Sequence, residues 1–170
     1  MSFVHLNVRS HFSIGRSILR IEDLVERTVT LGMPAVALTD DNLFGAMRFA
    51  RACAARGIKP ILGARLRVGA APPPGLDDHV IVLARNAEGY ANLRTLVTRA
   101  HLDPPESERP RLHPGILAHH TTGLIALVGG SGGRIAGLLA DGDLAGAQEA
   151  VQTWTRLFGE GDLYLELGAG

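Results

Sequence analysis

The sequence predicts an α/β fold in which parallel strands alternate with helices. Three observations predict it: short apolar runs bounded by turn residues, segments of helical periodicity between those runs, and glycines where the helical segments end. The chain has 170 residues, and a single domain of that length buries roughly 70% of the surface that its unfolded chain exposes. We therefore expect residues 1–170 to form one domain.

The first half of the chain holds three predicted strands and two predicted helices. The helices are recognised by apolar residues three and four positions apart, as in the face formed by Ile21, Leu24, Val25, Thr28 and Leu31. In order, the predicted elements are a strand at Phe3–Val8, a helix at Ile21–Leu31 ended by Gly32, a strand at Pro34–Thr39, a helix at Phe44–Arg56 ended by Gly57, and a strand at Pro60–Val68.

The second half continues the alternation after an exposed turn predicted at Ala71–Gly75. A strand is predicted at His79–Ala84, followed by a helix at Ala87–His101 with Tyr90, Leu93, Val97 and Ala100 on one side and by an irregular connection at Asp103–Pro114. A strand at Gly123–Val128 then leads into a helix that opens at Gly129–Gly133 and runs to Leu139. The last predicted elements are a helix with Leu144, Ala147, Val151, Trp154 and Phe158 on one face and a strand at Asp162–Leu167. Because a strand closes the series, we expect the pattern to be incomplete at its C-terminal end.

The composition excludes several classes of protein. Seventeen Lys and Arg balance seventeen Asp and Glu, which counts against a free-standing nucleic-acid-binding protein. Charged residues interrupt every apolar stretch, and the first residues do not form a signal peptide. The single cysteine, Cys53, rules out a disulfide framework. These features predict a cytoplasmic protein without a membrane partner.

Candidate functional residues are polar side chains at predicted strand ends, where parallel α/β proteins place their sites. They are Asn7, Arg9, Asp40, Asp41, Arg65, His79, Glu166 and the glycine loop Gly129–Gly133. Asp40 and Asp41 have two interpretations: ligands of Mg²⁺ or Mn²⁺, or a helix N-cap at Asp41 or Asn42. The glycine loop lacks both phosphate-binding patterns and is interpreted as a tight turn. Cys53 and Trp154 are interpreted as buried residues without a chemical role.

Several segments resemble the N-terminal PHP (polymerase and histidinol phosphatase) domain of bacterial DNA polymerase III alpha subunits. The resemblance spans nearly the whole chain and is specific to the polymerase branch of PHP domains. The segments that carry it are Phe3–Ser10, Gly32–Asp40, Asn42–Ala46, Gly57–Ala64, Val82–Asn86, Gly89–Leu93, Gly123–Leu127 and Leu163–Leu167. The Thr39–Asn42 loop and the stretch from Gly63 to Leu66 are similar to the error-prone branch of these subunits, and the segments around Pro34 and Lys59 to the replicative branch.

The resemblance implies part of a distorted, seven-stranded β/α barrel and a role in DNA replication or error-prone repair synthesis. The implied partners are the remainder of a polymerase chain and a proofreading or accessory subunit, with DNA reached only through the parent polymerase. An incomplete barrel also exposes an edge, which predicts self-association.

The resemblance also implies a degenerate metal site. Asn7 and Arg9 stand where metal-binding PHP domains carry two histidines, and Arg16 and Arg65 stand at positions of acidic ligands. We therefore expect no metal and no catalysis, and we expect Arg9, Arg16 and Arg65 to form ion pairs with Asp40, Asp41 and Glu166. The alternative is a metal-dependent phosphoesterase or 3′–5′ exonuclease that holds Zn²⁺, Mn²⁺ or Mg²⁺ with Asp40, Asp41, His79 and Glu166.

Overall fold

The computed structural model describes residues 3–69, 78–104 and 109–167, and it confirms the α/β class. The helices of this part of the chain are α1 (Ile21–Thr30), α2 (Ala46–Ala55), α3 (Ala87–Leu102), α4 (Pro114–Ala118), α5 (Arg134–Ala140) and α6 (Leu144–Phe158). The strands are β1 (Ala35–Leu38), β2 (Lys59–Val68), β3 (Asp78–Ala84), β4 (Leu124–Val128) and β5 (Leu163–Leu165). The turn predicted at Ala71–Gly75 lies outside the described residues.

The strands form a five-stranded sheet in the order β1-β2-β3-β4-β5, and the sheet is mixed. β1 pairs with β2 in parallel, and β4 pairs with β5 in parallel. β3 and β4 are antiparallel, so the prediction of uniformly parallel pairing is wrong there. The connection between them contains α3 and α4, and between these two helices Leu112 forms an isolated parallel bridge with Val68.

The chain divides into two compact units, of which the first runs to Arg65. Its core joins α1, α2 and β1 through Ile21, Val36, Phe49 and Cys53, all fully buried. The predicted face of α1 is correct for four of its five residues, but Leu31 is 49% exposed because it follows the last helical turn.

The predicted strand at Phe3–Val8 is an extended segment without strand pairing of its own. It lies along β1, where the N–H of Ala37 donates to the carbonyl of His5 and the N–H of Thr39 to that of Val8. The prediction of a strand is wrong for residues 3–8, because these backbone hydrogen bonds do not extend into a regular ladder with β1.

The second unit begins at Leu66. Trp154 of α6 is fully buried in it, as predicted, whereas Leu144 is 70% exposed because it is the first residue of the helix. The glycine loop is the predicted strand-to-helix turn, with Gly129 and Gly132 at positive φ and Gly133 as the N-cap of α5. α4 was not predicted: it begins at Pro114, the last residue of the connection interpreted as irregular, and continues to Ala118.

Candidate functional site

The first cluster of polar residues surrounds the carboxylate of Asp40, directly after β1. Asp40 is 1% exposed, and its Oδ1 accepts from the backbone N–H of Ser10 and from Ser13 Oγ, each at 2.7 Å. Its Oδ2 accepts from Ser10 Oγ, also at 2.7 Å. We call Asp40, Ser10 and Ser13 the Asp40 node. Its bonds hold a loop from an earlier part of the sequence against the end of β1.

The residues after Asp40 extend this attachment instead of capping a helix. The N–H of Asp41 donates to Ser13 Oγ at 3.3 Å, and Asn42 Nδ2 donates to the carbonyl of Phe12 at 2.9 Å. α2 begins four residues further on with Gly45 as its N-cap, so the N-cap interpretation of Asp41 or Asn42 is wrong. Neither residue carried a signal for this role, since their partners, Ser13 and Phe12, are about thirty positions away.

Two of the arginines at the predicted metal positions lie beside the Asp40 node. Arg9 precedes Ser10, and its Nε lies 4.0 Å from Asp41 Oδ1. An ion pair between these two residues was predicted, and this distance is the longest at which such a pair is recognised. The backbone N–H of Arg65 donates to the carbonyl of Asp40 at 3.0 Å, so β2 lies next to the node at this residue. The Nε atoms of both arginines are buried.

The other residues predicted for the site are distributed over the molecule. Asn7 Oδ1 accepts from Thr39 Oγ1 at 3.3 Å, next to the node. Arg16 is exposed and forms no ion pair within the described residues, so its predicted pairing is absent there. His79 and Glu166 belong to the second unit, where the N–H of His79 donates to Asp78 Oδ1 and that of Glu166 to the carbonyl of Val128.

A second buried carboxylate, Asp78 at the start of β3, was missed in the sequence. It is 1% exposed, and its Oδ1 accepts from the N–H of Arg134 at 2.9 Å while its Oδ2 accepts from Trp154 Nε1 at 3.2 Å. With the bond from His79 at 2.8 Å, these contacts form the Asp78 node. Asp78 therefore satisfies the first N–H of α5 from a distant strand. Its position directly after a proline-rich stretch gave no indication of this role.

The residues at the family's metal positions do not fit a divalent cation. Arginine remains protonated and has no lone pair to offer, so Arg9, Arg16 and Arg65 cannot be ligands. Both oxygens of Asp40 already accept hydrogen bonds from Ser10 and Ser13. Within residues 3–69, 78–104 and 109–167, no group of three or more His, Cys, Asp or Glu side chains is placed to hold a metal ion.

Two groups of the first unit outside the Asp40 node, the Cys53 thiol and the Glu22 carboxyl, have shifted pKa values. Burial raises the pKa of the Cys53 thiol to about 11, so the reactive thiolate is scarce at neutral pH. On the surface, the hydrogen bond from Arg48 lowers the pKa of the Glu22 carboxyl. Neither residue belongs to the Asp40 node, and the interpretation of Cys53 as a buried residue is confirmed.

Comparison with known proteins identifies the class to which this fold and this site belong. The model of the PHP domain family matches residues 5–169. The chain belongs to the PHP domain family, as its motifs predicted.

Relatives of the chain include an error-prone DNA polymerase and several DNA polymerase III alpha subunits. The chain is 40% identical to an error-prone DNA polymerase of Symbiobacterium thermophilum and 37% identical to a DNA polymerase III subunit alpha of Treponema pallidum, with 98% of the chain covered in each case. It spans only 16% and 15% of those two proteins. It is therefore similar to about one sixth of each relative.

A solved structure, described as that of a metal-dependent phosphoesterase from Bifidobacterium adolescentis, covers 58% of the chain at 19% identity with a TM-score of 0.43. A similarity this low carries no argument about the chemistry of the chain. In the described part of the chain, none of the helices has the length and apolar character needed to cross a membrane.

Proposed function

We propose that this PHP domain is a non-catalytic module of a DNA polymerase III alpha-type chain that acts in DNA replication or error-prone repair synthesis. The similarity to such polymerases over 98% of the chain supports this proposal. Within the parent protein the domain supports the polymerase body and offers a docking surface to a proofreading or accessory subunit. DNA is reached through the parent polymerase, since the domain itself has a net charge of zero.

The observation that carries the non-catalytic role is the state of Asp40. A carboxylate that ligates a catalytic metal needs free lone pairs directed at the cation. Asp40 directs its lone pairs at three donors from Ser10 and Ser13, and all three bonds are 2.7 Å long. Two arginines beside it add positive charge, which opposes a divalent cation. The site is thus built to fix a loop, and hydrogen bonds replace the metal as the connection between loop and strand.

The deciding experiment measures bound metal after dialysis of the purified protein against Zn²⁺ and Mn²⁺. We expect far less than one metal ion per chain. A matched variant that restores ligands, Asn7→His with Arg9→His and Arg65→Glu, should bind more metal than the wild type. Stoichiometric metal in the wild type, together with phosphoesterase or 3′–5′ exonuclease activity that a chelator removes, would establish the enzyme alternative. Asp40, Asp41, His79 and Glu166 would then be the first residues to replace.

We further propose that the fold is part of the distorted, seven-stranded β/α barrel of PHP domains. The parallel pairs at both ends of the sheet, β1 with β2 and β4 with β5, support it. Completion of the barrel requires strands beyond the five described, and one of them would pair with β5. The amides of β5 should therefore be more protected from hydrogen exchange in the full-length polypeptide than in the 170-residue chain. Equal protection of β5 in the full-length polypeptide and in the 170-residue chain would contradict the barrel.

We also propose that the isolated chain associates with itself through β5. This strand stands at one end of the sheet order, and Tyr164 and Leu165 are 55% and 53% exposed. An edge strand with apolar side chains is a template for pairing with another chain. Light scattering should show a molar mass that rises with concentration and a smaller rise for Leu165→Lys. A monomer at every concentration would remove the proposal.

A further inference from the structure

The first unit exposes a set of large apolar side chains that nothing in the described structure covers. Ile14 and Ile18 are 91% and 96% exposed, and Phe44 and Met47 are 77% and 60% exposed. We call these four residues the apolar face. Single exposed apolar residues are common, but several on neighbouring segments mark a surface that contacts another part of a protein.

The segments that carry the apolar face meet at one junction. A Cβ on Gly45 would lie 2.7 Å from Phe12 Cδ2 and 2.9 Å from Ile21 Cδ1, so the chain at residue 45 passes directly over Phe12. Phe44 and Met47 lie one residue before and two residues after Gly45 in the chain, and Ile14 and Ile18 follow Phe12 by two and six residues. The two segments that carry the apolar face therefore meet where glycine is required for space.

The junction is held in place by hydrogen bonds on both of its segments. Asn42 donates to the carbonyl of Phe12 at 2.9 Å and accepts from the N–H of Phe44 at 3.0 Å. Ser17 Oγ donates to the carbonyl of Arg9 at 2.9 Å, which closes the loop that carries Ile14. Because these bonds fix the backbone, the exposed side chains are presented by a defined surface.

The charges beside the apolar face indicate what it contacts. Arg16 lies between Ile14 and Ile18 in the chain, and Arg51 stands one helical turn after Met47 on the same side of α2. Both arginines are exposed, and neither forms an ion pair within the described residues. Arg48, by contrast, is already paired with Glu22. The complementary surface therefore carries apolar side chains and carboxylates.

We infer that the apolar face, with Arg16 and Arg51, packs against an acidic and apolar segment of the same polypeptide outside residues 1–170. This inference rests on the proposed function, in which the chain is one part of a polymerase. Its relatives are about six times longer than the part that the chain matches, so most of such a polypeptide is available as the partner. A second copy is disfavoured, because it would bring Arg16 and Arg51 against the same arginines.

Hydroxyl-radical footprinting with mass spectrometry tests the inference on the 170-residue chain and on the full-length polypeptide. Oxidation of Phe44 and Met47 should be several-fold slower in the full-length polypeptide, because packing excludes the radical from both side chains. Leu31 is the matched control: it is exposed in the same unit at the end of α1, and its oxidation should be unchanged. Equal oxidation of Phe44 and Met47 in the two proteins would overturn the inference.

Charge reversal then tests the chemistry of the partner. Arg16→Glu with Arg51→Glu should restore oxidation of Phe44 and Met47 in the full-length polypeptide, whereas Arg94→Glu on the exposed face of α3 should not. If the double variant keeps full protection, the partner is not acidic. Protection that arises only when the 170-residue chain is concentrated would identify a second copy and overturn the intramolecular partner. Protection that requires an added accessory protein would overturn it as well.

The same preparations separate this inference from the proposed function. DNA synthesis on a primed template by the full-length polypeptide tests whether the parent is a polymerase. Absent synthesis with Phe44 protected would remove the proposed function and leave the packing of the apolar face intact. Active synthesis with Phe44 oxidised as fast as in the 170-residue chain would support the proposed function and overturn the packing of the apolar face.

Discussion

Among the residues that the structure describes, each of the two units buries one carboxylate almost completely, and the partners of the two carboxylates differ. Asp40 accepts from two serines of a loop that precedes its strand, whereas Asp78 accepts from an indole and from the first N–H of a helix. Asp40 stands where the family resemblance places a metal site, and Asp78 does not. A buried carboxylate therefore does not by itself mark a functional site, because hydrogen bonds alone can satisfy it in either place.

The largest effect is expected from Asp78→Ala. The substitution leaves the buried Trp154 Nε1 and the part-buried N–H of Arg134 without their acceptor, which should cost about 3 kcal/mol of the free energy of unfolding. Urea unfolding followed by the fluorescence of Trp154, the single tryptophan, measures it. Asp103→Ala, which removes an exposed ion pair with Arg99, is the control and should cost far less. Equal losses in the two variants would show that the Asp78 node contributes nothing beyond a surface charge.

A somewhat smaller effect is expected from Asp40→Ala, about 2 kcal/mol, because the hydroxyls of Ser10 and Ser13 can turn to other acceptors. The native emission maximum of Trp154 should stay unchanged in this variant and shift in Asp78→Ala. Ser13→Ala removes one bond of the node and should lie between Asp40→Ala and the wild type. If Asp40→Ala is as stable as the wild type, the hydrogen bonds of the node do not replace the connection that a metal would supply.

Cys53 allows the first unit to be observed separately. Its thiol is fully buried and its pKa is raised to about 11, so iodoacetamide should alkylate it slowly in the native protein and rapidly in urea. Asp40→Ala should accelerate native alkylation several-fold, and Asp78→Ala should accelerate it less. The same acceleration in both variants would mean that the two nodes stabilise one cooperative structure. The raised pKa also means that the contribution of Cys53 to stability is lost as the pH rises from about 9 towards 11.

The smallest effect is expected at Glu22, an exposed carboxyl that contrasts with both buried ones. Its pKa is lowered in the folded state by the hydrogen bond from Arg48, so its contribution is present above about pH 4.5 and is lost as the pH falls further. Glu22→Gln should change the free energy of unfolding at neutral pH by about 0.5 kcal/mol or less, as exposed ion pairs do. Thermal unfolding between pH 3 and 7 tests it. A larger loss in Glu22→Gln than in Asp40→Ala would invert the expected order.

The local pattern of the sequence was sufficient for most helices and strands, because periodicity and glycine stops act over a few residues. The helix at Ile21–Thr30 and the strand at Ala35–Leu38 follow directly from it. The antiparallel pairing of β3 with β4 could not be predicted, because the direction in which two strands pair depends on the path of the whole connection between them and not on a local pattern.

The positions of the candidate site were predictable in part, and its contacts were not. Asp40, Asp41 and Arg65 were expected at strand ends, and the structure places them next to one another in the chain or across β1 and β2. The roles of Ser10 and Ser13 could not be predicted, since the sequence around a serine does not show whether its hydroxyl donates to a buried carboxylate or faces solvent. Asp78 was missed because two of its partners, Arg134 and Trp154, lie more than fifty residues away in the sequence.

The extended segment at His5–Val8 has a consequence for the stoichiometry of any assembly built by strand pairing. Its two hydrogen bonds lie along the outer strand β1, so in the described part of the chain this end of the sheet already has a neighbour. Pairing between copies through β5 uses the other end of the sheet and joins like edges, which leaves neither copy of β5 with a free edge. Such an assembly stops at two copies and cannot grow into a filament.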